Sequence, residues 1–281
     1  MALPTILKAA LPSVPVVNQL PGVRKNPNGD PATLSFTREG VPVDPAHVAA
    51  YAKVCEFPRK DTVPLTYPHM LAFPLHMQIM TSTEFPFPAI GSVHLENSVT
   101  GHRPIALGEV LDVTARASSP RPHAKGTVVD FLTEVRSGGE LVWESTSTYL
   151  RRGKGSEGAS SGLTFDQTPA GGVEWRLPGD LGRRYAAVSG DRNPIHLYPL
   201  TAKALGFPRQ IAHGMWSKAR CVAAIENRLP DAVRVEVAFK KPILLPGTVA
   251  FGKAETDGGW AFALTNPRDG SPHLVGRASS L

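Results

Sequence analysis

Residues 185–198 read Y-A-A-V-S-G-D-R-N-P-I-H-L-Y, with Ser189-Gly190-Asp191-Arg192-Asn193-Pro194-Ile195-His196 at the centre. The first residues of the string suit a helix. Gly190 and the Asn193-Pro194 pair then favour a sharp, irregular backbone, because glycine tolerates unusual φ angles and proline fixes its own. Such a turn presents the Asp191 carboxylate and the His196 imidazole toward one point, where together they suit the holding of one water molecule. An imidazole with pKa near ~6.5 takes and returns a proton around neutral pH, while the carboxylate orients the water and balances charge. The Asp–His spacing alone is weak, since chance gives about 0.35 such pairs in a chain of this composition. The full string, followed by Ala212-His213-Gly214-Met215, is far more specific.

Outward from this string the chain repeats itself, in the same order and at similar spacing. Leu177-Pro178-Gly179-Asp180 leading to Tyr185–Ser189 matches Val43-Asp44-Pro45 leading to Tyr51–Cys55. Asp180 and Asp44 each stand where a helix N-cap would be. Ile211-Ala212-His213-Gly214-Met215 faces Tyr67-Pro68-His69-Met70, and Lys241-Pro242-Ile243 through Gly247 faces Arg103-Pro104-Ile105 through Gly108. Two copies of one unit are therefore expected: residues 1–152 and residues 173–281. The Gly- and Ser-rich stretch 153–172 between them reads as a flexible surface linker. The second copy holds ten more residues between its matched tyrosine and histidine than the first, and the Asp191–His196 string lies in that insertion. The first copy should accordingly lack a site of its own and help to form the pocket.

Each copy reads as a helix followed by strands. Met70–Met80 is apolar nearly all round, as a buried helix would be, with Pro74 kinking it or marking its start. In the second copy Met215, Ala219, Val222, Ile225 and Leu229 recur at helical spacing until Pro230. Strands are expected at Val110–Ala117, Thr127–Val135, Leu141–Tyr149, Val233–Phe239, Thr248–Ala254, Trp260–Leu264 and Leu274–Ala278, two of them joined by a turn at Arg136-Ser137-Gly138-Gly139. The pattern implies an α+β layer with an antiparallel meander wrapped on a helix, and two such units able to pair edge to edge.

Composition removes several function classes. With 42% hydrophobic and 19% charged residues a packed core is expected. The apolar stretch Leu3–Leu20 is broken by Pro4, Pro12 and Pro15 and contains Lys8, so neither a membrane span nor a signal peptide is expected, and a cytoplasmic location is the default. Two cysteines, Cys55 and Cys221, read as packing residues. The net charge of +6 comes from scattered basic pairs without a nucleic-acid motif, so no nucleic-acid partner is expected. A solvated basic surface, a phosphate-bearing ligand or an acidic carrier protein would each account for it. His69, His76, His94 and His102 lack an acidic companion on the His69–His76 helix, so no metal site is expected there.

The 185–198 string resembles the hydratase signature of MaoC-like enzymes, and G-F-P-R-Q-I-A-H-G-M at 206–215 resembles the element that follows it in that family. Over nearly its whole length, the 153–172 stretch excepted, the chain is similar to double hot-dog 3-hydroxyacyl-thioester dehydratases of the mycobacterial type. The resemblance implies a double hot-dog fold and reversible dehydration of a (3R)-hydroxyacyl thioester to its (2E)-enoyl partner, without metal or redox cofactor. Asp191 and His196 fall on the family's catalytic pair and Asn193 on its turn position. Gly214 falls where a backbone N–H at a helix start would meet the thioester oxygen.

Other roles stay open. His213 either faces the site or caps its helix. Tyr185 and Ser189 shape pocket or core, and Trp216 belongs to the core or lines the acyl pocket. The implied substrate is a thioester of coenzyme A or of acyl carrier protein, and a homodimer is possible. A hot-dog acyl-thioesterase and a non-catalytic acyl-binding or assembly partner are the competing readings.

Overall fold

The structure, a computed structural model, describes residues 25–89 and 91–281. The Leu3–Leu20 stretch lies outside them. Strand β1 (Ser35–Pro42) opens the first half, followed by helix α1 (Pro45–Cys55) and helix α2 (Pro68–Thr81). Strands β2 (Ser92–Gly101), β3 (Val110–Ala117), β4 (Arg121–His123), β5 (Gly126–Ser137) and β6 (Glu140–Arg152) come next. The second half runs β7 (Val173–Leu177), α3 (Leu181–Ser189), α4 (Pro199–Ala204), α5 (Gly214–Ala223), then β8 (Val233–Phe239), β9 (Gly247–Thr256), β10 (Gly259–Thr265) and β11 (Pro272–Ser280).

All the strand pairings are antiparallel and form one sheet in the order β1-β3-β5-β6-β2-β8-β11-β10-β9-β7, with β4 hydrogen-bonded to β5 at the side. The order is palindromic: β1, β3, β5, β6 and β2 of the first half answer to β7, β9, β10, β11 and β8 of the second. The halves meet where β2 pairs with β8, from Glu96 opposite Ala238 to Gly101 opposite Val233. The helices also meet across this pseudo-twofold, and the matched residues Tyr51 and Tyr185 bring their rings to 6.2 Å.

Alternation explains the strands. In β3 every second residue from Leu111 to Ala117 is buried, the period of a half-buried strand. The Ser137–Glu140 connection turns on Gly138 and Gly139, both at positive φ (55° and 88°), as a two-residue hairpin demands.

Several expectations need correction. Asp44 does cap α1, accepting from the Ala46 N–H at 2.8 Å, but Asp180 makes no capping bond at the start of α3. Pro74 neither starts nor ends α2. It lies on the exposed side with Gln78, so the helix passes through a proline whose missing N–H faces water, and the helix is not buried all round. Helix α5 stops at Ala223; Ile225 and Leu229 keep the helical spacing but flank a following 3-10 turn, Glu226–Arg228, as its caps. Strands β1, β2, β4 and β7 and helix α4 carry no period strong enough to have been expected. Each half is also not a simple meander, because β2 pairs with β6 and not with β3.

The 153–172 stretch contains no helix or strand; its end at 170–172 lies against β9, and residues 153–163 lie against the first half. Gly153 N–H donates to the Lys125 carbonyl, Ser156 N–H to that of His123, and Leu163 N–H to the Glu96 carboxylate. Cys55 and Cys221 are buried free thiols. Among the described residues no helix is long and apolar enough to cross a membrane.

Candidate active site

Helix α3 ends at Gly190, whose left-handed φ of 73° turns the chain out of the helix. The loop that follows is held by a ladder of local bonds. Asp191 N–H donates to Ser189 Oγ at 3.1 Å, Asn193 N–H to Asp191 Oδ1 at 3.1 Å, and Ile195 N–H to Asn193 Oδ1 at 3.4 Å. Short polar side chains that bond backbone two residues on fix such loops. Ser189 and Asn193 therefore serve the shape of the loop that carries Asp191 and His196.

His196 is buried, and its Nδ1 lies 2.8 Å from the Ile211 carbonyl. A carbonyl only accepts, so Nδ1 carries the proton and Nε2 presents a bare lone pair. His213 is fixed in the opposite tautomer: its Nε2 lies 3.0 Å from the Asp191 backbone carbonyl and must donate, while its buried Nδ1 has no hydrogen-bond partner among the described residues. The two imidazoles stack at 3.7 Å between centroids, and Tyr185 packs on His213 at 4.9 Å. His213 thus stands at the N-cap position of α5 without capping it.

One ligand-capable atom from each of Asp191, His196 and His213 lies within 4.8 Å of the other two. Among the described residues this is the one such group that could also hold a small cation. Burial lowers the pKa of His196, opposed by the Asp191 charge and the Ile211 carbonyl bond. Burial and the neighbouring His196 bring His213 down to about 3. Both rings are therefore neutral at neutral pH, and His196 offers a base beside a carboxylate.

Gly214 begins α5, so its N–H is one of the helix-start donors without an intrahelical acceptor. The Phe239 ring lies over it; a Cβ added at Gly214 would come within 3.2 Å of that ring. Trp216 points elsewhere: it is 2% exposed and donates its indole N–H to the Val54 carbonyl at 3.1 Å, joining α5 to α1. The Tyr185 hydroxyl is directed at Met70 Sδ, 3.8 Å away, inside the core.

Residues with no signal in the sequence also reach this region. His47 of α1 bridges Tyr67 Oη and the Val188 carbonyl, steadying the last turn of α3 before the loop. His94 of β2 stacks on Tyr149 at 4.5 Å and approaches Phe239 at 5.0 Å. The Asp191 charge is felt at both, adding to the burial that pushes the Tyr149 phenol up and opposing the burial that brings His94 down to about 3. The first half, which has no dyad, thus supplies one wall of the region.

An α+β hot-dog protein with an Asp–His pair on an inserted loop and a helix start beside it is the class that fold and site define. A MaoC like domain matches residues 166–259, the stretch that holds the loop and α5. The 3-hydroxyacyl-thioester dehydratase X of Mycobacterium tuberculosis is 42% identical over 97% of this chain and 94% of its own. The crystal structure of HtdX from the same organism superposes with a TM-score of 0.78 at 43% identity, covering 88% of this chain and all of that one. A MaoC-like dehydratase from Phytophthora capsici shares the fold, with a TM-score of 0.75 at 21% identity over 91% of this chain and 98% of that one. The chain belongs to the MaoC-like dehydratase family.

Proposed function

We propose that this chain is a hydro-lyase that interconverts (3R)-hydroxyacyl and (2E)-enoyl thioesters by removal and addition of water, in fatty-acid or related acyl metabolism. The observation that carries the reading is the fixed tautomer of His196. Its Nδ1–H is committed to the Ile211 carbonyl, so Nε2 is the free base, on a ring that has a nitrogen within 4.8 Å of an Asp191 carboxylate oxygen. The 42% identity to a protein named for this reaction supports it.

In dehydration His196 Nε2 takes the proton from C2, and the charge that develops on the thioester oxygen is met by the Gly214 N–H. The C3–O bond then breaks. The hydroxyl leaves with the proton returned by His196, as a water held by Asp191. Hydration is the reverse. A single dyad delivers water to one face only, and with the thioester oxygen held at Gly214 that face gives the R product.

In this reading residues 173–281 form the unit that bears the dyad, residues 1–152 the unit that forms the pocket, and 153–172 the connection. The β2–β8 pairing already joins two units in one chain, so the site needs no second copy. A homodimer, if formed, would be additional to it. A cytoplasmic location fits two cysteines that stay free and unpaired.

The test is to incubate the purified chain with a (2E)-enoyl thioester and resolve the product by chiral chromatography, while titrating thiol. An R-3-hydroxyacyl thioester without thiol release supports the reading. An S product would contradict the assignment of the binding direction, and released thiol would identify a thioesterase.

A further inference from the structure

Three of the six most exposed large apolar side chains among the described residues fall within eight consecutive positions: Tyr198 (51% exposed), Leu200 (79%) and Leu205 (39%). They flank or lie on α4, the short helix that follows the dyad loop directly. Thr201 Oγ donates to the Pro194 carbonyl at 2.7 Å, tying α4 to the turn that carries His196. An exposed leucine is ordinary by itself, but a cluster of them beside a site marks a surface that another molecule covers.

The charge along this stretch of chain is nearly all of one sign. Between residues 181 and 210 the chain carries Arg183, Arg184, Arg192, Lys203 and Arg209 against a single acid, Asp191, which is the proposed dyad carboxylate. Among the described residues none of the five cations is ion-paired. Arg183 is held over the Tyr198 ring at 5.0 Å and donates to the Leu197 carbonyl at 2.9 Å, while the other four are exposed.

We infer that the α4 surface, with the exposed Tyr198, Leu200 and Leu205 as its apolar part and Lys203 and Arg183 as the cations on it, docks an acidic acyl carrier protein that delivers the thioester to the dyad. The inference rests on the proposed hydro-lyase reading and names the thiol carrier for it. An apolar centre with a charged rim is the make-up of a protein-binding patch, and the uncompensated positive rim selects an acidic partner and speeds its approach. A free nucleotide carrier would use the cations but would leave Leu200 and Leu205 facing water. A second copy docked through the same patch would bring like charges together across a twofold axis.

The experiment compares one (2E)-enoyl group on three thiols: acyl carrier protein, coenzyme A and pantetheine. Wild-type chain is measured against the double variant Leu200→Ser/Lys203→Glu at low and moderate salt. The expected result is a loss of about 10-fold or more in kcat/KM on the carrier-protein thioester, largest at low salt, with the pantetheine and coenzyme A thioesters unchanged. A parallel loss on coenzyme A but not pantetheine would mean that the surface reads nucleotide phosphates, which overturns the inference. So would equal rates on the carrier-protein thioester for both proteins, or wild-type co-sedimentation with anionic vesicles that the double variant loses. Turnover of the pantetheine thioester by wild type keeps the hydro-lyase reading separate: if that substrate is inert too, it is that reading which fails.

Discussion

The imidazoles of His196 and His213 stack with 3.7 Å between centroids and 25° between planes, and each has one nitrogen committed to a backbone carbonyl. Two rings this close cannot both carry charge at low cost, and the pair is buried. Burial therefore keeps both rings neutral, with His196 adding to the shift at His213, and it makes the fold sensitive to acid.

That sensitivity extends to the first half. His69, buried with His76 and beside the half-buried His94, is held well below the ordinary imidazole range, His76 is brought to about 4 and His94 to about 3, in each case mainly by loss of solvation. In the unfolded chain these histidines titrate near ~6.5, so below that pH the unfolded state binds more protons than the native state. Stability is then fully present above about pH 6.5 and falls as pH drops toward 4 and 3, by up to about 1.4 kcal/mol per pH unit for each histidine. Urea midpoints measured from pH 7.5 down to 5 should decline steadily below 6.5. A midpoint that stays level between pH 7 and 5 would mean these rings are protonated in the native state.

A methyl group at Gly214 would be crowded, because an atom of the Phe239 ring lies 3.2 Å from where it would be. Gly214→Ala should lower kcat/KM by about 10-fold or more, through displacement of the N–H or the ring at the point where charge develops. Alanine is the better helix former, so the helix itself should not suffer. Shrinking the ring in Gly214→Ala/Phe239→Leu should recover most of the rate. A fully active Gly214→Ala variant would remove the crowding argument.

How much of this was legible beforehand follows from where the information lies. The dyad loop is local: the backbone at Asp191, Asn193 and Ile195 is fixed by bonds that span two residues, so the string itself specifies the turn, while the His196 ring is oriented by the Ile211 carbonyl. All seven expected strands are present; β3 alternates clearly, while β9 and β10 are continuous buried runs that turn residues delimit. Strand β1 is different, because its residues before Val41 are mostly exposed and carry no apolar period. The roles of Trp216 and Tyr185 were left open because both depend on contacts with the other half, at Val54 and Met70. The same holds for His47, His94 and Tyr149, which reach the site only through the β2–β8 pairing and the packing of α1 on α3.

Lys218 shows the same long-range dependence. It sits on α5, fully buried, and its ammonium donates to the backbone and side-chain oxygens of Asn97 on β2 and to the Val235 carbonyl on β8. Burial lowers its pKa well below the lysine range, yet its three donors have three acceptors. It ties α5 to the two strands at which the halves join. Lys218→Ala should lower unfolding stability by about 3 kcal/mol or more, from lost packing and unpaired acceptors. Chemical denaturation measures this, and a change under about 0.5 kcal/mol would show that the bonds contribute little.

The most direct measurement is the initial rate of water addition to a (2E)-enoyl thioester by wild type, Asp191→Asn and His196→Gln, with the far-UV circular dichroism of each recorded alongside. The account predicts folded variants whose turnover is about 10²–10⁴-fold below wild type. Near wild-type turnover in either folded variant would contradict it.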